Sequence, residues 1–284
     1  MLAKTVSPIM PACYGEHMST PPPPRILSIA GSDSSGGAGI QADIKTITML
    51  GGYAMTAITA ITAQNTLGVQ GVTGIAPEMV LAQIASCVDD IGVDAVKIGM
   101  LADEAVIRQV AGAMVLLRRP LVLDPVMIAT SGAVLVGPEA VAALRARLFP
   151  LATVITPNLP ELEHLAGRAL PNHDAMVEAA QELAAASGAA VLAKGGHAGG
   201  ETITDVLVAP GEAPQSFIHA RIETRHTHGT GCTLSSAIAT LLGRGEPLAV
   251  AVAVARDFVR KAIEAAPGYG AGSGPLGHQA LRAL

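Results

Sequence analysis

The chain has 284 residues, of which half are apolar and 2% aromatic, and its formal net charge is −5. That length suffices for one large α/β domain, whose core has to be built from small aliphatic side chains and methionine. A slightly acidic chain without a basic, aromatic-rich cluster gives no reason to expect nucleic-acid binding. No apolar run approaches the roughly 18 residues that cross a bilayer, so we expect no membrane segment.

The cysteines bear on the redox environment of the protein. They number three, Cys13, Cys87 and Cys232, and no C-x-x-C pair occurs among them. An odd, unpaired set argues against a disulfide framework and against a structural zinc site. We therefore expect a cytoplasmic protein, because reduced thiols are the rule in that compartment.

The N-terminal segment differs in composition from the rest of the chain. Residues 1–24 end in four consecutive prolines, and such a run enforces an extended backbone without internal hydrogen bonds. We predict a flexible proline-rich extension over residues 1–24, followed by a single domain over residues 25–284.

From Arg25 onward, short β-branched runs alternate with longer alanine-rich runs of helical periodicity. The predicted strands cover residues 26–30, 54–62, 95–98, 121–124, 154–156, 190–194, 203–209 and 217–222. The predicted helices cover residues 40–50, 77–91, 104–117, 138–148, 159–166, 173–187, 231–242 and 248–266. This alternation is typical of an α/β fold in which helices flank both faces of a mostly parallel central sheet. The last two strands predict a small antiparallel hairpin at the sheet edge.

A loop of small residues, GSDSSGGAGIQAD at positions 31–43, follows the first predicted strand. It contains neither G-x-G-x-x-G nor the P-loop pattern. Because ligands of open α/β sheets bind beyond the carboxyl ends of the strands, we expect this loop to form a wall of a small-molecule pocket. A plain tight turn stays open as the alternative, since glycine clusters often do nothing more.

Three charged residues follow later predicted strands. Asp124 and Glu161 suit Mg²⁺, which prefers a few carboxylates together with water. As alternatives, Asp124 would accept backbone hydrogen bonds in its turn, and Glu161 would cap the next helix. Lys194 precedes two glycines and is placed to reach a phosphate, although a solvated surface lysine is the competing interpretation.

A glycine-rich turn formed by Gly229, Thr230 and Gly231 runs directly into an alanine- and leucine-rich helix at Cys232. Glycines permit a close backbone approach, and the free N–H groups at a helix start converge on negative charge. The helix dipole favours a thiolate in the first turn, so we predict a lowered pKa for Cys232. The alternative is a helix entry around a buried structural cysteine.

Together these motifs resemble the ribokinase-like small-molecule kinases, and closely the hydroxymethylpyrimidine/phosphomethylpyrimidine kinases of thiamine biosynthesis. The resemblance spans roughly residues 25–266 and also rests on TAQNT at 62–66, KIGML at 97–101, VLDPVM at 122–127, TPNLPE at 156–161 and KGGH at 194–197. It implies a ribokinase-like fold that uses ATP and Mg²⁺ to phosphorylate 4-amino-5-hydroxymethyl-2-methylpyrimidine and then its monophosphate. A pyridoxal kinase on the same scaffold stays open as the alternative.

The resemblance also implies the residues that contact the pyrimidine substrate, which are Gly31, Ala38, Asp43, Gln64 and Met100. The amide of Gln64 can both donate and accept, which matches an aminopyrimidine edge. For Asp43 an exposed helix acid stays open, and for Met100 a core filler does.

The remaining implied roles concern the phosphates. Lys194, Asn158 and Thr227 would bind the nucleotide, with Asn158 and Glu161 acting mainly through waters on the metal held at Asp124 and Glu161. The turn at Gly229, Thr230 and Gly231 would hold the transferring phosphoryl group, and Cys232 would take the hydroxyl proton in the first phosphorylation only. His226 stands where the family commonly has asparagine, and we expect only local hydrogen bonding from His228. We assign no role to residues 268–278, and we expect a homodimer.

Overall fold

The computed structural model describes residues 22–127, 137–197 and 199–281. Within these ranges the strands are β1 (Arg25–Asp33), β2 (Tyr53–Asn65), β3 (Gly68–Gly74), β4 (Ala95–Ile98), β5 (Leu121–Leu123), β6 (Val154–Ile155), β7 (Ala190–Ala193), β8 (Thr202–Val208) and β9 (Gln215–Ala220). The helices are α1 (Gly39–Met49), α2 (Pro77–Asp90), α3 (Glu104–Leu117), α4 (Pro138–Ala143), α5 (Leu159–Ala166), α6 (His173–Ser187), α7 (Thr230–Gly243) and α8 (Leu248–Glu264). The helix predicted over 138–148 is α4 followed by a π-helical turn, Leu144–Leu148.

All nine strands of the described residues belong to one sheet with the order β3-β2-β1-β4-β5-β6-β7-β8-β9. Six neighbouring strands run parallel to one another, in the order β2, β1, β4, β5, β6 and β7, which confirms the predicted α/β architecture. The predicted edge hairpin is also confirmed, because β8 and β9 pair antiparallel. At the opposite edge β3 pairs antiparallel with β2, and this strand was not predicted.

The unpredicted strand β3 has the sequence GVQGVTG, in which every residue is exposed or half-buried. Three glycines and two isolated valines give neither the alternation nor the β-branched enrichment by which a strand is recognised. Its pairing is fixed by the short turn after β2 rather than by a buried face. The local sequence therefore gave little indication that these residues form a strand.

The apolar core lies in two layers, one on each face of the sheet, because successive side chains of a strand point to opposite faces. In β5, Leu121 and Leu123 pack on one side with helices α2 to α6, while Val122 packs on the other side with α1, α7 and α8. Helix α7 is buried along almost its whole length. Its first turn is thereby held firmly at the carboxyl edge of the sheet.

The N-terminal boundary needs one correction. Pro24 is buried, and its carbonyl oxygen accepts the N–H of Tyr53 at 2.9 Å, so the folded part begins before Arg25. The rest of the predicted extension, residues 1–21, lies outside the described residues. In the described ranges no helix is long and apolar enough to cross a bilayer.

Candidate active site

A cavity of about 740 Å³ opens at the carboxyl ends of the parallel strands and at the start of α7. Its walls include the predicted site residues Gly31, Ala38, Gln64, Met100, Asp124, Asn158, Glu161, Lys194, Thr227, Gly229, Thr230, Gly231 and Cys232. The structure thus brings together in one cavity every residue predicted for the site except Asp43.

The glycine-rich turn before α7 packs backbone against backbone with the first loop. Gly229 has a left-handed φ of 89°, and a Cβ on it would lie 1.9 Å from the carbonyl oxygen of Gly37, so only glycine fits here. The N–H of Thr230 already donates to the carbonyl oxygen of Thr227 at 3.3 Å. The amides of Gly231 and Cys232, in the open first turn of α7, therefore remain as the donors for an anion.

Asp124, Glu161 and Lys194 meet opposite this turn. Oδ1 of Asp124 accepts hydrogen bonds from Lys194 Nζ at 3.0 Å and from the hydroxyl of Thr156 at 3.1 Å. Burial, offset in part by Lys194 and reinforced by Asp124, raises the pKa of Glu161 to about 7. Burial alone would lower the pKa of Lys194, but Asp124 and Glu161 raise it above its ordinary value.

Glu161 also forms a capping box at the start of α5, so the alternative weighed for it is realised as well. Its Oε2 accepts the N–H of Asn158, and Oδ1 of Asn158 accepts the N–H of Glu161, both at 2.8 Å. The amide oxygen of Asn158 is thereby engaged within the protein. Helix capping fixes the Glu161 carboxylate at the cavity wall rather than withdrawing it from the site.

The carboxylate pair fits a magnesium ion. Asp124 and Glu161 are each 2% exposed, and two buried carboxylates beside one lysine leave an excess of negative charge that a divalent cation would balance. Within the described residues no three or more His, Cys, Asp and Glu side chains are grouped so that they could hold a metal ion. Two carboxylates with water match the way Mg²⁺ is usually bound next to phosphates.

The predicted lowering of the Cys232 pKa is wrong. Burial raises the pKa of this thiol to about 11, and the nearby carboxylates of Asp43 and Asp124 act in the same direction. The ammonium of Lys97 and the N–H of Gly39 oppose this rise without overcoming it. Removal from water outweighs the helix start, so Cys232 is a protonated thiol at neutral pH in this structure.

The expectation for Asp43 also needs correction. Both of its oxygens accept from Lys97 Nζ, at 3.0 and 2.8 Å, and the hydroxyls of Ser28 and Ser236 each donate to it at 2.6 Å. Asp43 is fully buried, so it is neither a cavity-lining substrate contact nor an exposed helix acid. Its hydrogen-bonding capacity is used inside the protein.

Lys97 was missed although the sequence contained a signal for it. It interrupts the otherwise apolar strand β4 and has no exposed surface. A lysine inside a buried strand needs a carboxylate partner, and Asp43 on α1 supplies it. Lys97 borders the cavity, whereas Asp43 lies behind it, and the Asp43 carboxylate raises the pKa of Lys97 despite its burial.

Asp33 and His228 form a second buried pair that the sequence did not predict. Asp33 Oδ2 lies 2.8 Å from His228 Nε2, and the carboxylate also accepts from Ser35, Gly37 and Ala38. Burial works against ionisation, but these hydrogen bonds, led by His228, lower the pKa of Asp33 to about 2. The two residues are 195 positions apart, so no local pattern revealed the pair.

A branch of the cavity extends between the β8–β9 hairpin and α8. Its apolar wall is formed by Ile203, Ile222, Val259 and Ile263, which suits the flat face of an adenine ring. Thr227 also lines the cavity, just before the anion-binding turn in sequence. His226 instead packs beside the C-terminal segment, where a Cβ on Gly274 would lie 2.1 Å from its Nδ1.

The C-terminal segment, to which the sequence assigned no role, packs against two site motifs. Ser273 donates its N–H to the carbonyl oxygen of Thr66 at 3.0 Å, directly after the TAQN residues of β2. His278 Nε2 lies 2.8 Å from the hydroxyl of Thr233 in α7. Residues 268–278 therefore brace the end of β2 against the start of α7.

The model of the phosphomethylpyrimidine kinase family matches residues 33–277. The chain belongs to this family. A hydroxymethylpyrimidine/phosphomethylpyrimidine kinase of Rhizobium meliloti is 49% identical over 89% of this chain and 96% of its own length. The thiamine biosynthesis bifunctional protein ThiED of Geobacter sulfurreducens is 46% identical over 89% of this chain, which spans about half, 52%, of that longer protein.

Solved structures of this fold include kinases of two specificities. The phosphomethylpyrimidine kinase of Clostridium difficile has a TM-score of 0.75 at 41% identity, covering 84% of this chain and 99% of its own. The ADP complex of Bacillus subtilis pyridoxal kinase has a TM-score of 0.83 at 39% identity, covering 91% of this chain and 98% of its own. The fold is thus ribokinase-like, and the residues of the cavity have to decide the substrate.

Proposed function

We propose that the protein transfers the γ-phosphate of ATP to the hydroxymethyl group of 4-amino-5-hydroxymethyl-2-methylpyrimidine, and then phosphorylates the monophosphate to the diphosphate. One observation carries this proposal: a single cavity joins the amide of Gln64 to the open amides of Gly231 and Cys232 and to the ammonium of Lys194. A kinase needs a group that recognises the substrate, hydrogen-bond donors for the transferring phosphoryl group, and a positive charge beside that group. The names of the full-length relatives support the same activity.

The pyrimidine would lie over the first loop and the end of β2. Gly31 and Met100 are in close contact, since a Cβ on Gly31 would meet Met100 Cε at 2.5 Å, and with Ala38 they form an apolar wall. Burying a heteroaromatic ring is costly unless its polar edge is paired. The amide of Gln64 lies in this part of the cavity and can both donate to and accept from that edge.

The nucleotide would place its base in the branch beside α8 and its phosphates at the start of α7. Lys194 would contact the phosphates, and Asp124 and Glu161 would hold Mg²⁺. When bound, the metal supplies positive charge that neutralises the β- and γ-phosphates. The amides of Gly231 and Cys232 contribute fixed dipoles at the same point, so positioning and electrostatics carry most of the acceleration.

Cys232 is our candidate for the proton acceptor in the first phosphorylation. Its raised pKa means that only a small fraction of the thiol is ionised at neutral pH, and only that fraction can act as a base. Lys97 and the N–H of Gly39 favour the thiolate. The second phosphorylation has an ionised phosphate as its nucleophile and needs no base.

We further propose a homodimeric, cytoplasmic enzyme with a separate N-terminal extension and one domain, predicted over residues 25–284 and here extended to include Pro24. The outer edge of the sheet exposes Ile61 in β2 and Leu67 in the turn before β3, which supports a self-association surface. The pyrimidine and ATP are its expected small-molecule partners. Light scattering of the purified protein tests the dimer, and a monomer at micromolar concentration would contradict it.

A pyridoxal kinase is the second candidate, favoured by the 39% identity to the Bacillus subtilis enzyme of that name. Steady-state kinetics with ATP and either the hydroxymethylpyrimidine or pyridoxal separate the two. We expect the pyrimidine to have the higher kcat/KM. A higher value for pyridoxal, or no phosphorylation of the pyrimidine, would overturn the proposal.

A further inference from the structure

The neighbours of Gln64 determine which of its polar atoms face the substrate. Its amide oxygen lies 3.2 Å from Oγ1 of Thr62, and its amide nitrogen lies 3.4 Å from Nε2 of His228. Both neighbours are buried and have a second, shorter contact. The positions of their protons therefore constrain the orientation of the amide.

Nε2 of His228 has to carry a proton. It lies 2.8 Å from Oδ2 of Asp33, and the same carboxylate accepts the N–H groups of Gly37 and Ala38 at 3.1 and 2.8 Å. A carboxylate that accepts several N–H bonds is ionised and has no proton to donate. That single proton is directed to Asp33, so toward Gln64 the Nε2 atom presents no lone pair and only a shared N–H.

The proton of Thr62 is also already placed. A hydroxyl has one proton to donate, and Oγ1 of Thr62 lies 2.8 Å from the carbonyl oxygen of Ser32, closer than the 3.2 Å to Gln64. A carbonyl oxygen can only accept, so the Thr62 proton goes to Ser32. Toward Gln64, Thr62 offers lone pairs only.

We infer that Thr62 and the Asp33–His228 pair hold the Gln64 amide with its nitrogen toward Thr62 and its oxygen toward His228. The two ends of an amide have the same shape, so this orientation requires no other atom to move. It pairs one amide N–H with Thr62, keeps the amide nitrogen from facing the N–H of His228, and leaves one N–H and one oxygen lone pair for the substrate. Thr62, His228 and Asp33 are thus specificity-determining positioning residues that act through Gln64.

The inference rests on the proposed function and adds the orientation of the substrate. An aminopyrimidine edge has a ring nitrogen that accepts and a neighbouring amino group that donates. The ring nitrogen would face the N–H on the Thr62 side, and the amino group would face the oxygen on the His228 side. A ring without the amino group leaves that oxygen unpaired, which disfavours its binding.

The decisive experiment compares Thr62→Val, which removes the hydroxyl at constant shape, with Thr62→Ser, which keeps it. For each, kcat/KM is measured with the hydroxymethylpyrimidine and with its analogue lacking the amino group. We expect Thr62→Val to reduce the ratio of the two values by about tenfold, the usual worth of one hydrogen bond, mainly through KM. Thr62→Ser should keep the wild-type ratio.

Two further variants separate positioning from a loss of packing. Thr240→Val removes another buried hydroxyl, which donates to the carbonyl oxygen of Ser236 within α7, and it should leave the ratio unchanged. In a Gln64→Met background, Thr62→Val should have no further effect on the ratio, because the group that it orients is gone. An equal effect of Thr62→Val in both backgrounds, or none in either, overturns the inference.

A spectroscopic measurement tests the protons without relying on activity. In the ¹⁵N-histidine-labelled protein, with the signal assigned through His228→Phe, Nε2 of His228 should be protonated. A bare Nε2 contradicts the inference even if the pyrimidine is phosphorylated. Conversely, if the wild type does not phosphorylate the pyrimidine, the proposed function fails, while a protonated Nε2 still supports the orientation of Gln64.

Discussion

Lys97 and Lys194 are both at the carboxyl end of a parallel strand and both pair with an aspartate, yet their surroundings differ. Lys97 has no exposed side-chain surface and contacts both oxygens of Asp43. Lys194 is 14% exposed and contacts a single oxygen of Asp124. The second oxygen of Asp124 faces Gly231, where an added Cβ would lie 3.2 Å away.

The difference shows that pairing alone does not distinguish a structural lysine from a functional one. The Asp43 carboxylate is saturated by Lys97 and two serine hydroxyls, so it has no oxygen left for a ligand. The Asp124 pair remains open toward the cavity, and its lysine can turn to a phosphate. The two lysines differ in whether the hydrogen-bonding capacity of the partner aspartate is fully used.

The largest effect is expected from breaking the closed pair. Lys97→Met leaves the buried Asp43 charge without its cation and should lower the free energy of unfolding by about 3–5 kcal/mol. Urea denaturation at pH 7.5 measures this. Lys261→Met is the matched control, because that lysine is 53% exposed beside Asp257 and should cost about 1 kcal/mol or less.

The double variant Lys97→Met/Asp43→Asn should recover much of the loss, since no unpaired buried charge remains. A Lys97→Met protein as stable as the Lys261→Met control would mean that the pair contributes nothing to the fold.

Breaking the open pair should affect catalysis more than stability. Lys194→Met removes a positive charge from the phosphoryl site and should lower kcat/KM by about 10²–10³-fold. The free energy of unfolding should fall less than in Lys97→Met, because Glu161, whose pKa is about 7, can take up a proton beside Asp124 and relieve the unpaired charge. Turnover at the wild-type rate would show that Lys194 does not contact the phosphates.

The thiol of Cys232 interacts with both lysines, and its raised pKa predicts a pH dependence. Because the active form is the thiolate and the pKa is about 11, the rate of the first phosphorylation should rise about tenfold per pH unit between pH 7 and 9. Cys232→Ala should abolish this slope. A rate of the first phosphorylation that does not change with pH in the wild type would exclude the thiolate as the base.

The smallest effect is expected at the N-terminus. Deletion of residues 1–21 should change the free energy of unfolding by less than about 0.5 kcal/mol and leave kcat unchanged, because that segment lacks the apolar periodicity of a core element. Pro24 is retained, since it accepts a hydrogen bond from Tyr53. A large drop in Tm on deletion would show that the segment stabilises the domain.

The alternation of apolar and helical runs predicted all eight helices and eight of the nine strands of the described residues, because periodicity is a local property. The position of the cavity could be predicted because ligands of open α/β sheets bind beyond the carboxyl ends of the strands. The burial of individual polar side chains could not be predicted from the sequence. The raised pKa of Cys232, the saturation of Asp43 and the distant Asp33–His228 pair all depend on tertiary packing, which determines solvent exposure.

The most direct test of this account is a time course that separates monophosphate from diphosphate for the wild type and for Cys232→Ala. The account predicts that the wild type makes the monophosphate and then the diphosphate. The variant should slow the first step by roughly 10²-fold and the second step, tested with the monophosphate as substrate, much less. Equal slowing of both steps, or of neither, would contradict the role assigned to Cys232, and the absence of both products would contradict the proposed function.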